Sequence, residues 1–166
     1  MTTNQERAFA DRPEVYAAWG NLRDAIVDGM DFRRYELATF AAARRLRSSY
    51  CCLAHGTVLM ERFDEPVLAI ARDFRDAGLD EADVAVMELA EKIVDDAGSV
   101  GDEDRQRLRD LGLSDQEIMG VVLAATARCF YSKTLDALGV SADPSYRALE
   151  PELREALVVG RPIADE

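Results

Sequence analysis

No run of β-branched residues in this chain alternates with polar ones over a useful length, so half-buried strands have nothing to form from. Apolar residues recur at helical spacing instead. Val15, Trp19, Leu22 and Ile26 follow at intervals of four, three and four, one stripe on a helix over 13–27. Asp11 is placed to cap that helix, with Pro13 in its first turn. Further helices are expected over 32–46, 50–63, a short segment from Pro66 to Ala77-Gly78, 81–95 behind Asp80, and 102–111 before Gly112. Ser114 and Glu117 form a capping box in front of the longest apolar helix, 118–138, which Gly139 closes. Its expected buried face is Ile118, Val121, Val122, Ala125, Cys129, Leu135 and Leu138. In the second helix Leu37, Phe40 and Ala41 read inward, and Arg33, Arg34, Arg44, Arg45 and Arg47 mostly outward. Pro144 and Pro151 bracket a tail with one more short helix over 152–159. The expectation is an all-α bundle of six to eight helices, one domain over 1–166 with its core at about 13–140 and a tail over 141–166.

A chain of 166 residues can bury a full core without disulfide staples. Its formal charge of −12 repels phosphate backbones and anionic lipid, so neither a nucleic-acid nor a membrane partner is expected. The longest apolar stretch, 121–127, is far too short to span a bilayer. Three cysteines, two of them adjacent, do not make a secreted disulfide framework. Free thiols and a polar N-terminus without an apolar segment point to the cytoplasm. No cluster has zinc-ligand spacing, and neither a metal nor a cofactor is expected.

The segment Ser48-Ser49-Tyr50-Cys51-Cys52-Leu53-Ala54-His55 carries the chemistry. On a helix, Cys51 and His55 stand at i and i+4 and share a face. Ser48 is a candidate N-cap, which would put Cys51 in the first turn, where the helix dipole favours an anion. Only a thiolate is a good nucleophile, and both the dipole and a neighbouring imidazole favour it. The same spacing also fits two packed core residues, cysteine being a common small core side chain. His55 is the chain's only histidine, so any imidazole catalyst must be this one.

These residues resemble the AhpD-like alkylhydroperoxidases, grouped with the carboxymuconolactone decarboxylases. That family carries a Glu and then a Cys-x-x-Cys-x-x-x-His run opening a helix, with the Glu fifteen residues before the second Cys. Cys51 and His55 match the second Cys and the His, and Glu36 stands at the matching offset. The run from Leu113 to Ile118, followed by an Ala/Val/Leu-rich helix into Leu135-Asp136-Ala137-Leu138-Gly139-Val140, looks like the peroxidase-related branch. The resemblance covers 15–140. It implies an AhpD-like helical bundle and homo-oligomeric assembly. It also implies a proton relay in which Glu36 and His55 serve Cys51. One position departs: Ser48 stands where the family has its first Cys, so the disulfide formed in the family's peroxide turnover has no partner there. Cys52 replaces it poorly, because adjacent helical residues point about 100° apart. A one-cysteine cycle therefore needs an external thiol reductant for a sulfenic acid on Cys51.

Three functions follow as expectations. The first is a peroxidase-like thiol oxidoreductase that takes a small hydroperoxide through the Cys51 thiolate. The second is a decarboxylase-like acid–base enzyme acting on another small substrate, with Cys51 incidental. The third is a non-catalytic helical oligomer that responds to oxidants. Tyr50 reads equally as a hydrogen-bond donor to the site or a packing residue, and Cys52 as structural. Cys129 falls in the buried stripe of the long helix, and Arg128 beside it reads as a surface or salt-bridged cation.

Overall fold

The computed structural model describes residues 2–165; Met1 and Glu166, the end residues of the expected span, lie outside it. Nine α-helices form among the described residues: α1 Asn4–Ala8, α2 Pro13–Asp28, α3 Phe32–Arg45, α4 Ser49–Phe63, α5 Val67–Asp73, α6 Glu81–Asp96, α7 Asp102–Asp110, α8 Asp115–Ala137 and α9 Pro151–Leu157. The architecture is all-helical, as expected, with one helix more than the upper expectation. The additional one is α1, and its start is a Thr3/Glu6 capping box in the polar N-terminal segment.

α3 is the central helix, and α4, α6 and α8 all pack on it. Every residue from Tyr35 to Ala43 is buried, which requires neighbours on all sides. Its Ala38, Ala41, Ala42 and Ala43 keep the helix thin enough for those neighbours to approach. α9 returns across α4 and α5. Gly56 of α4 permits that crossing, since a Cβ there would lie 3.2 Å from Leu157 and 3.3 Å from Phe40. Asp80 and the Ser114/Glu117 box cap α6 and α8 as expected.

Several expectations change. Arg12, not Asp11, stands at the N-cap of α2, and its side chain makes no capping bond. Only Trp19 and Ile26 of the α2 stripe are buried, while Leu22 is exposed, because α2 lies over the edge of the bundle and packs mainly on α8. Leu138 is exposed because it sits past the last turn of α8. Cys129 is half-buried. Arg33 and Arg34 do not face solvent freely. Both ion-pair with Asp83, a carboxylate buried completely on α6, and Arg33 also pairs with Glu65. Two guanidiniums around one buried carboxylate satisfy a charge that is costly to bury alone.

Candidate active site

Local backbone geometry fixes where Cys51 lies. Arg47 ends the α3 turn in the left-handed region at φ 58°, and the chain reverses into α4 two residues later. Ser48 occupies the N-cap position but does not cap: its hydroxyl is buried and has no hydrogen-bond partner. The following hydroxyl, Ser49 Oγ, accepts from Gly160 N at 2.9 Å and ties the helix start to the tail. Cys51 is then the third residue of α4, in the first turn as expected.

Cys51 is 2% exposed, and its sulfur has two donors, both from α8. Arg128 Nη1 lies 3.4 Å away and Ser132 Oγ 3.2 Å away. A guanidinium, a hydroxyl and a helix N-terminus all favour negative charge on that sulfur. One turn along α4, His55 Nδ1 lies 2.6 Å from Glu36 Oε2. Thr39 Oγ1 is 3.3 Å from the same nitrogen, but its own proton goes to the Tyr35 carbonyl at 2.8 Å. Nδ1–H therefore donates to Glu36, and the ring's other nitrogen is left for the cavity that His55 lines. Burial first, and then the charge of Arg128, lower the imidazole below its usual value, with Glu36 opposing both. At neutral pH the ring is neutral and able to accept a proton.

Cys51 and His55 open onto a common cavity of about 370 Å³, also bordered by Tyr16, Trp19, Arg23, Tyr50, Arg128 and Tyr131. Tyr50 both packs and bonds: it lines this cavity, and its hydroxyl donates to the Asp143 carboxylate. Tyr131 donates to Gln5 of α1 at 2.7 Å, so the N-terminal segment borders the cavity too. A second cavity of about 340 Å³ also borders His55, with Glu36, Tyr35 and Phe32 in its wall.

Arg128 is not the surface cation its sequence context suggested. It is 3% exposed, and among the described residues no carboxylate comes within ion-pairing distance of it. Its guanidinium lies 5.6 Å from the ring centres of both Trp19 and Tyr131. Burial pulls its acidity upward, but Cys51 and Tyr35 beside it prevail and hold the cation firmly protonated. Reading the sequence by single residues missed Arg128 and Ser132. The signal was in the register: Ile118, Val121, Ala125, Arg128, Ser132 and Leu135 follow at spacings of three, four, three, four and three, all buried. The stripe passes through Arg128, not Cys129.

The structure brings Cys51, His55 and Glu36 together, with Tyr50 on the same cavity. Ser48 is close in sequence but makes no hydrogen bond to the site's polar groups. Cys52 is fully buried away from the cavity lining, and burial pushes its thiol far up; burial raises the Cys129 thiol as well.

Comparison with family models and with curated proteins finds no match. Solved structures do match. An alkylhydroperoxidase AhpD core from Ralstonia eutropha JMP134, an uncharacterized peroxidase-related protein, is 19% identical with a TM-score of 0.80, over 87% of this chain and 78% of that one. An uncharacterized peroxidase-related protein from Silicibacter sp. TM1040 is 20% identical with a TM-score of 0.81, over 89% of this chain and 80% of that one. The chain has the AhpD-like fold. No described helix is long and apolar enough to cross a membrane.

Proposed function

We propose that this AhpD-like chain is a single-cysteine thiol peroxidase that reduces small organic hydroperoxides at Cys51. One observation carries the reading. Arg128 is a buried guanidinium with no carboxylate partner among the described residues, and the Cys51 sulfur is the group able to balance it. Arginine does not lose its proton in proteins, so the balance has to come from an anion. A thiolate at Cys51 supplies it.

Neutral His55, held by Glu36, takes the thiol proton of Cys51. The thiolate attacks the outer oxygen of ROOH, the O–O bond breaks, and the imidazolium returns the proton to the departing alkoxide as ROH. Cys51 is left as a sulfenic acid. An external thiol condenses with it, releasing water and leaving a mixed disulfide, and a second external thiol restores Cys51 and leaves as a disulfide. Ser48 provides no resolving sulfur, which is why both thiols come from outside. The homo-oligomer that the resemblance implies belongs to the same reading, supported by the exposed Met119, Leu123 and Phe130 along α8.

The test is hydroperoxide consumption by purified protein with cumene hydroperoxide and dithiothreitol. Cys51→Ser abolishes turnover, and His55→Gln lowers it by about 100-fold or more, the usual scale of an acid–base group. Wild-type turnover in the Cys51→Ser protein overturns the proposal. The short Glu36–His55 contact favours one second reading, acid–base chemistry without the thiol. Under that reading Cys51 alkylation leaves activity on a lactone or keto acid intact while His55→Gln removes it.

A further inference from the structure

The cavity over Cys51 has a charge pattern opposite to that of the chain. The protein carries a formal charge of −12, yet the ionisable acids and bases lining this cavity are Arg23, Arg128, Cys51, His55 and three tyrosines, with no carboxylate. Two guanidiniums thus face this cavity while its lining holds no carboxylate to answer them. Arg128 is the buried cation, and its Nε has no hydrogen-bond partner. Arg23 is the exposed one, one helical turn after Trp19 on α2. Its protein partner is the adjacent Asp24 at 2.7 Å, an exposed pair of the kind that holds a guanidinium only weakly. Trp19, Tyr16 and Tyr131 give the walls a flat aromatic character. Two of the three phenols are engaged elsewhere, Tyr50 with Asp143 and Tyr131 with Gln5, which leaves Tyr16 and the Gln5 amide as neutral donors and the two guanidiniums as the cavity's cationic ones.

We infer that the cavity takes a small organic carboxylate, its apolar body against Trp19 and Tyr131 and its charge against Arg23. This rests on the proposed function in one respect: the hydroperoxide reduced at Cys51 is then one that carries a carboxylate. A bound carboxylate supplies the anion that the lining lacks beside Arg23. The guanidinium fork matches a carboxylate in two parallel hydrogen bonds, which a neutral amide cannot reproduce. Selectivity for charge over shape is therefore the signature.

Trp19 is the chain's only tryptophan and lies in the cavity wall, so its emission reports occupancy directly. Purified protein is titrated with benzoate, phenylacetate and octanoate, and in parallel with the three matching amides. Trp19 emission and the rate of Cys51 alkylation by iodoacetamide are followed together. At least one carboxylate changes the emission and slows Cys51 alkylation while its amide does neither. Arg23→Gln weakens that carboxylate by about tenfold, a loss on the scale of one charge-assisted contact. Cys51→Ser keeps the emission response, which separates binding from peroxide chemistry. If that response persists while the wild type turns over no hydroperoxide, the peroxidase reading fails and the carboxylate site stands. Equal responses to acid and amide, no response to any of the three acids, or an unchanged affinity in Arg23→Gln overturns the inference.

Discussion

Replacing Arg128 by Met removes the one cation on the Cys51 sulfur while keeping an unbranched side chain between Trp19 and Tyr131. A full Coulomb interaction at the observed 3.4 Å and an effective dielectric near 20 is about 5 kcal/mol, an upper bound. The net value of a hydrogen bond to a charged group is smaller, about 1.5–3 kcal/mol, and Ser132 still donates at 3.2 Å in the variant. That range corresponds to a fall of about 10- to 150-fold in the rate at which Cys51 is alkylated. The assay is the rate of iodoacetamide addition, read by mass spectrometry on the peptide holding Cys51, with Cys129 as internal reference. Arg128→Lys keeps the charge and loses the fork, and falls between the two. Removing one partner of a buried pair is costly only while the other stays charged, and Cys51 can keep its proton and become a neutral thiol, so Arg128→Met still folds. Circular dichroism checks that. Wild-type alkylation of Cys51 in the folded Arg128→Met protein would refute the reasoning, since the guanidinium would then contribute nothing to the sulfur's charge.

Two further outcomes are expected. His55 is buried and its imidazole is lowered below 6.5, whereas the unfolded chain takes up a proton near that value. Stability linked to His55 is therefore complete above 6.5 and is lost as pH falls toward the lowered folded value. Urea midpoints measured on either side of 6.5 drop more in the wild type than in His55→Gln, and parallel slopes contradict this. A Cβ on Gly160 would sit 2.0 Å from the Arg47 carbonyl oxygen, so Gly160→Ala must shift the turn that starts α4. The expected loss is about 1–3 kcal/mol in chemical denaturation, the usual scale of overpacking, and an unchanged midpoint contradicts it.

Much of the architecture was legible because it rests on local signals. The Asp80 cap, the Ser114/Glu117 box and the glycines after α7 and α8 mark helix ends through bonds between near neighbours, and those ends appear where expected. Burial was less legible where it depends on which helix lies opposite. Leu22 belongs to a clear stripe but faces solvent, because α2 has a neighbour only along part of its surface. Arg33 and Arg34 read as surface residues because nothing local reveals Asp83, fifty residues away on α6. Within the candidate site, Cys51 and His55 share one helix and were found from spacing, while Glu36 was found only through resemblance. Arg128 and Ser132 were missed for a physical reason: a cation on an apolar helix reads as exposed until its buried counter-group is known, and that group is 77 residues away.

Trapping the oxidised sulfur separates these possibilities most directly. Purified protein is exposed to one equivalent of cumene hydroperoxide in the presence of dimedone, and each cysteine peptide is then weighed. A single dimedone adduct on Cys51, absent from Cys51→Ser and slowed in His55→Gln, is the predicted result. An adduct on Cys129 with Cys51 unmodified, or peroxide loss with no adduct at all, contradicts a thiolate nucleophile at residue 51.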